Sequence, residues 1–328
     1  MTRPTSSLTF GGTLETNALI ERAMSSDMDD WPIFSYSQFQ AWDRCEELWF
    51  YSYARNWFKR SKGNALNLGT EIHLAMKEWY DMAIARVPKE PRKEKMYLYF
   101  KQRINDHSTN MDMLNVIQKA MRLTMRYVEE FAPVEDKGHR ILKTEYHFTV
   151  PFQSPKGRNF ILQGYIDLLT EYAENLWAWD HKSMESNFWT PTQVMMEPQT
   201  PLYIVSLREQ MEKVHGVIIN MFNTYDYAKP EKALTSKLFS REKSYRTDIE
   251  LNTFKTDMLR MADRLFDNYQ SPLRSKRLDC KNCGFQEPCL LRIKGINDEP
   301  LLYEEYEQKE KVEVPLNISP DRLMQRAG

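Results

Sequence analysis

The feature that most restricts the fold of this chain is a change of period near residue 140. Before it, apolar residues recur at steps of three and four, the pattern of amphipathic helices. From ILKTEYHFTVPF through NFILQGYIDLLTEY to LWAWDHKS they fall in short β-rich runs instead, and the first two runs are joined by SPKGR, which carries the Pro and Gly of a hairpin turn. A helix returns near Pro198 in PQTPLYIVSLREQ, a strand in GVIINMFNTYDY and a helix in DIELNTFKTDMLRMADRLFDNY, with Leu251, Phe254, Met258, Met261 and Leu265 inward. This order of elements predicts an α/β fold, a central mixed sheet flanked by helices, with a helical insertion ahead of the strands.

The helices can be read in more detail. Residues 34 to 54 open with Ser35 as N-cap, Gln38 at the third position and Phe34 placed to staple onto Phe39. The stripe Phe39, Trp42, Cys45, Trp49, Tyr53 puts Cys45 on the inward face. A helix after LNLGT turns Ile72, Ala75, Trp79 and Met82 inward and leaves His73 at the border of the core. A third repeats Leu114, Ile117, Met121, Met125 and Val128. The expected organisation is a polar segment 1–33, a folded domain 34–290 and a charged tail 291–328 packed loosely if at all. Within the domain, 34–135 is helical, 140–270 holds the strands and 280–289 is a cysteine segment.

The net charge of −1 argues against a protein that coats nucleic acid by bulk electrostatics. Local basic patches remain: Arg55, Lys59, Arg60 and Lys62; KEPRKEK; Arg241, Lys243 and Arg246; Arg274, Lys276 and Arg277. The first interleaves Trp57 and Phe58, which suits a groove that tracks a phosphate backbone and stacks bases; a solvated surface is the alternative reading. No apolar run approaches the roughly 18 residues needed to span a bilayer, and the first residues lack a secretory layout, so a cytoplasmic location is expected.

In WAWDHK, alternation points Asp180 and Lys182 to one face and Trp179 and His181 to the other. On the preceding strand, Gly164 has no side chain and Asp167 interrupts the apolar run Tyr165, Ile166, Leu168, Leu169. Two carboxylates on neighbouring strands repel, and a divalent cation between them keeps both ionised. Mg²⁺ fits, since it takes oxygen ligands and retains waters. A metal, a water and a lysine are what phosphodiester hydrolysis requires. Taken singly, Asp167 could cap a turn, and Asp180 with Lys182 could be an ordinary ion pair.

The order His73, Gly164-Tyr165-Ile166-Asp167, Asp180-His181-Lys182 and Gln199-Thr200-Pro201-Leu202-Tyr203 resembles the RecB-type nucleases of the PD-(D/E)XK superfamily. The third motif more often begins with Glu, and Asp180 shortens the reach by one methylene. The resemblance implies a restriction-endonuclease-like core that cleaves DNA, by the family's habit as an exonuclease. It implies Mg²⁺ or Mn²⁺ held by His73, Asp167, Asp180 and the carbonyl of His181, with Lys182 orienting or activating the water. Gln199 and Tyr203 would contact the substrate or brace the site, and Glu145, in KTEYHF, could be a further acidic neighbour.

Four cysteines complete the set: Cys45, and Cys280, Cys283 and Cys289 in the spacing C-x2-C-x5-C. In a cytosolic chain a compact trio reads first as metal binding. Zinc ribbons usually bring two C-x2-C knuckles, whereas iron–sulfur ligation accepts one remote thiolate with three close ones. This distribution, with FSYSQFQAWDRCEELWF around Cys45, resembles the iron–sulfur branch of the RecB-type family, that of the AddB nuclease domain and the CRISPR-associated exonucleases. It implies a [4Fe–4S] cluster clamping segments more than 200 residues apart. Roles in DNA repair or recombination, a helicase, recombination or CRISPR-type protein partner, and a bacterial, archaeal or phage-infected cell follow from the same resemblance. A zinc-stabilised nuclease and a catalytically decayed DNA-binding module are the rival readings.

Overall fold

The sequence periods become elements as follows in the computed structural model, which describes residues 22–60, 64–185, 187–210, 214–225, 232–269, 272–275 and 278–308. The chain forms β1 (Ile33–Ser35), α1 (Tyr36–Arg44) and β2 (Trp57–Lys59), then three long helices, α2 (Asn64–Ile84), α3 (Lys89–Asp106) and α4 (Met111–Arg126). Three strands follow, β3 (Arg140–Gln153), β4 (Asn159–Tyr172) and β5 (Asn175–Met184). Beyond them come α5 (Gln199–Arg208), β6 (Val214–Asn223), β7 (Phe239–Ser244), α6 (Asp248–Asn268), α7 (Gln286–Ile293), α8 (Glu299–Glu305) and β8 (Tyr306–Gln308). Two compact units result. A central unit comprises Ser61–Phe148 and Gly164–Lys255, and a terminal unit comprises Met1–Arg60, Thr149–Gln163 and Thr256–Gly328.

In the central unit, β4 runs antiparallel to β5 with Leu168 opposite Trp179, β5 runs parallel to β6, and β6 runs antiparallel to β7. The sheet is therefore mixed. Its core joins Ile72, Trp79, Phe100 and Ile117 of the three helices to Trp177, Trp179, Ile218 and Phe222 of the strands. Helix α5 is buried from Thr200 to Leu207, as a helix apolar on all sides must be, and Pro201 sits in its first turn, where no amide donor is required.

Strand β7, which covers SREKS, went unread in sequence because charge masked it, and α3, within the expected helical part, covers the basic stretch KEPRKEK. The buried stripe of α4 is Val116, Ile117, Ala120, Leu123 and Thr124, with Leu114, Met121 and Met125 only half-buried. Among the described residues, no helix is long and apolar enough to cross a membrane.

In the terminal unit, β1 pairs parallel with the start of β4, Ile33 opposite Ile161, and Phe34, Phe39, Phe160 and Phe266 form a ring cluster. The staple of Phe34 on Phe39 is present, with ring centroids 5.6 Å apart. The capping box is not: Ser35 Oγ bonds the Ser37 hydroxyl at 2.8 Å, and Gln38 Nε2 turns to the Ile33 carbonyl at 3.5 Å.

Nor is 34–54 one helix. Cys45 is extended (φ −168°, ψ 119°), capping α1 on one side and a short turn, Glu46–Trp49, on the other. Its N–H still bonds Ala41 O at 2.9 Å and its carbonyl still accepts from Trp49 N at 3.1 Å. Helical hydrogen bonding thus continues past the break, and the side chain leaves the inward stripe.

The expected loose tail is packed as far as Gln308. Strand β8 pairs antiparallel with β2, and Leu302 and Tyr306 join Tyr51, Trp57 and Phe285 in a small core. These two apolar side chains and the β2–β8 pairing hold an otherwise charged segment in place.

Candidate active site

The central unit brings His73, Glu145, Asp167, Asp180, Lys182, Gln199 and Tyr203 into one neighbourhood. Pairing between β4 and β5 stops at Leu168 opposite Trp179. Asp167 explains why: its Oδ2 accepts the His181 N–H at 2.6 Å, so a carboxylate replaces the next rung of the ladder. Gly164 lies three residues earlier because a Cβ there would stand 2.5 Å from the Phe148 ring, closer than real atoms approach.

Helix α2 supplies His73, whose Nδ1 lies 3.3 Å from Asp167 Oδ1. Burial alone would lower the His73 pKa. The hydrogen bond and charge of Asp167, the charge of Asp180 and the His181 carbonyl outweigh it and hold the imidazole up to about 9. Burial pulls on Asp167 in the opposite sense, yet contact with His73 and the His181 N–H keeps its carboxyl below the ordinary carboxylate range. Asp180 is pushed up, by burial first and by Asp167 among its neighbours, although Lys182 opposes the shift. Two carboxylates with pKa values driven apart, beside an imidazole that prefers to be cationic, mark a place that stabilises positive charge.

On β5, alternation is realised as expected. Lys182 Nζ lies 2.7 Å from Asp180 Oδ2, while Trp179 and His181 face the other way, against Tyr80. The ammonium is thus in contact with the buried Asp180 Oδ2, and its charge and hydrogen bond pull the carboxyl pKa down against the larger effect of burial. Lys182 also donates to Gln199 Oε1, and Gln199 Nε2 reaches the Tyr203 hydroxyl at 3.4 Å. Gln199 and Tyr203, one turn apart on α5, therefore brace the lysine. Glu145 stands in the left-handed region (φ 43°), unusual for a non-glycine residue within a strand. Its half-buried carboxyl is raised by burial and by Asp167.

The donor set suits a hard divalent cation: carboxylate oxygens of Asp167 and Asp180, one imidazole and one peptide carbonyl. Among the described residues, no group of three or more His, Cys, Asp or Glu side chains is arranged to hold a metal ion.

The cysteines all belong to the terminal unit, where they are free thiols. Cys45 Sγ accepts from Ser275 N at 3.4 Å, and Cys280 Sγ donates to Ser275 O at 3.3 Å, so one residue lies between the two sulfurs. Cys283 and Cys289 pack against the small core of Tyr51, Trp57 and Phe285. Burial raises both of these thiols, and Cys45 lies near enough to act on each.

The Arg55 patch differs from its expected role. Arg55 pairs with Asp298 at 3.1 Å, and Arg60 donates to Tyr306 O at 2.9 Å and Tyr303 O at 3.0 Å, while Trp57 is buried edge-on to Tyr303. The two guanidinium groups anchor the C-terminal segment, because its backbone carbonyls and Asp298 need donors. Of the three, Arg55 is half-buried, while Lys59 and Arg60 stay exposed. Sequence reasoning passed over Asn220 and took Arg241 only as part of a basic patch. An asparagine inside the apolar run GVIINMF was the available signal.

The strands of a mixed sheet thus part around two carboxylates and a lysine, with a histidine supplied by a flanking helix. The family model described as the PD-(D/E)XK nuclease superfamily matches residues 33–290, and the chain belongs to that superfamily. Among solved structures, a Eubacterium rectale protein described as "Putative exonuclease" aligns with TM-score 0.47 and 12% identity, covering 87% of this chain and 94% of that one. SSO0001 aligns with TM-score 0.31 and 13% identity over 65% of this chain and 92% of its own. No curated protein matches the sequence.

Proposed function

We propose that this nuclease hydrolyses DNA phosphodiesters, acting from free ends, with Mg²⁺ or Mn²⁺ held by His73, Asp167, Asp180 and the carbonyl of His181. The observation that carries this reading is the convergence of two buried carboxylates with the His73 imidazole and the Lys182 ammonium, Asp167 against His73 and Asp180 against Lys182. When bound there, the cation supplies Lewis-acid polarisation of the phosphate and lowers the pKa of a water. The chain's own residues do the rest. Asp167 and His181 fix one wall through the 2.6 Å hydrogen bond, and Gln199 with Tyr203 holds Lys182 at the other, where its ammonium offsets charge developing on the phosphate.

The four cysteines support a second part of the reading, a structural [4Fe–4S] cluster of the kind that the resemblance implies. Their grouping in the terminal unit, two of them about Ser275 and two on the small core, fits four thiolate ligands. Such a cluster supplies a cross-link between α1 and the 272–289 region.

The test is cleavage of end-labelled single- and double-stranded DNA, with a circular control, in the presence of Mg²⁺ or Mn²⁺. Wild type should degrade the linear substrates, while Asp180→Ala should be inactive yet folded. Cleavage by Asp180→Ala and Lys182→Ala at wild-type rates would refute the assignment. Nicking of the circle would replace end-dependent action with endonucleolytic cutting.

A further inference from the structure

Beneath the site, the central unit buries a polar chain that the proposed chemistry does not use. Asp136, after α4, accepts from Arg241 of β7 at 2.8 Å. Arg241 lies with its guanidinium over the Trp179 ring, 4.2 Å from the centroid. It donates through Nε to Asn220 Oδ1 at 3.2 Å and through its terminal nitrogen to the Tyr127 hydroxyl at 2.8 Å. Tyr80 closes the network against Tyr127 and Asp136, each at 3.0 Å. Asn220, fully buried on β6, then faces His181 Nδ1 at 3.1 Å.

The direction of this chain is forced. An arginine has only donors, so the Asn220 atom facing it is the carbonyl oxygen, and the amide nitrogen is the one turned to His181. That nitrogen also only donates. His181 Nδ1 must therefore accept, and the ring proton sits on Nε2. The ring is further held by Tyr80, stacked on it at 11° with centroids 6.1 Å apart.

We infer that Asn220 is a positioning residue, oriented by the Asp136–Arg241 pair, which fixes His181 as the Nε2–H tautomer and thereby the His181 peptide that holds Asp167. The inference rests on the nuclease reading for its consequence and on geometry for its substance. His181 N–H is the donor at 2.6 Å to Asp167 Oδ2, so a ring free to turn would loosen the carboxylate at the cation site. Groups behind metal ligands typically change metal affinity or activity by about 10–100-fold when removed.

The experiment reads the tautomer first. Nitrogen-15 NMR of histidine-labelled, metal-free wild type at neutral pH should show His181 protonated at Nε2 alone. In Asn220→Asp the carboxylate cannot donate, so the proton should move to Nδ1. Titration with Mn²⁺, followed by electron paramagnetic resonance, should show affinity about 10–100-fold weaker in Asn220→Asp and Asn220→Ala. Cleavage rate should fall in parallel; the weakened Mn²⁺ dissociation constant is the discriminating readout, because a smaller folded fraction would lower the binding stoichiometry and leave that constant unchanged. A wild-type His181 protonated at Nδ1, or folded Asn220 variants that bind Mn²⁺ as wild type does, would overturn the inference. Should Asn220→Ala fail to fold, the wild-type tautomer and Asn220→Asp still decide it. A wild type with the expected tautomer that neither binds Mn²⁺ nor cleaves DNA would refute the nuclease reading instead, and with it the positioning role.

Discussion

Replacing Gly164 by alanine tests the packing that sets the Asp167 strand. The new Cβ would meet the Phe148 ring at 2.5 and 2.8 Å, and Phe148 is fully buried, so neither partner can yield without displacing a neighbour. Overpacking of this kind costs about 1–3 kcal/mol. Against it, Gly164 does not have a positive φ, so alanine gains about 0.4–1 kcal/mol by restricting the unfolded chain. The net expectation is a loss of about 1–2 kcal/mol. Because the Phe148 ring lies against Tyr203 at 6.3 Å, and Tyr203 supports Gln199 and through it Lys182, cleavage should fall as well. Urea denaturation of Gly164→Ala, Phe148→Leu and the double variant gives the coupling directly. The double variant should be more stable than the sum of the single losses predicts, by about 1 kcal/mol or more. Strict additivity, or a Gly164→Ala protein as stable as wild type, would refute the argument.

Three further outcomes are expected. Burial holds the His181 pKa down to about 3, so the folded state binds fewer protons than the unfolded one below about pH 6.5, and stability falls with pH there. Between pH 6.5 and 5 this amounts to about 2 kcal/mol. Asp180, shifted upward, acts in the opposite sense, so the quantity to read is the difference between metal-free wild type and His181→Gln; equal pH slopes would contradict the neutral buried ring. Asp298→Ala should leave the buried Tyr51 hydroxyl and Arg55 without their acceptor, cost about 1.5–3 kcal/mol and make residues 299–308 the first site of proteolysis, as limited digestion would show. Protein purified without oxygen should be brown with about four irons per chain, and Cys45→Ser should lose most of that iron; stoichiometric zinc would favour the zinc-stabilised alternative.

What was legible in the sequence is what depends on local order. The span of β4 and the placing of Asp180 and Lys182 on the face opposite Trp179 and His181 follow from alternation, a property of the backbone that needs no partner. The superfamily could likewise be recognised from residue types at set spacings. Tertiary structure decided the rest, because it depends on which distant groups meet. That Arg55 and Arg60 anchor a C-terminal segment could not be read from their own stretch, since their partners lie more than 240 residues away. The helix break at Cys45 is equally invisible locally, because its apolar spacing is that of an unbroken helix and only Ser275 gives the sulfur somewhere else to go. Arg241 looked like one more surface cation. Only the fold supplied Asp136, Trp179 and Asn220 around it, and so converted an exposed-looking charge into the buried end of the network behind the site.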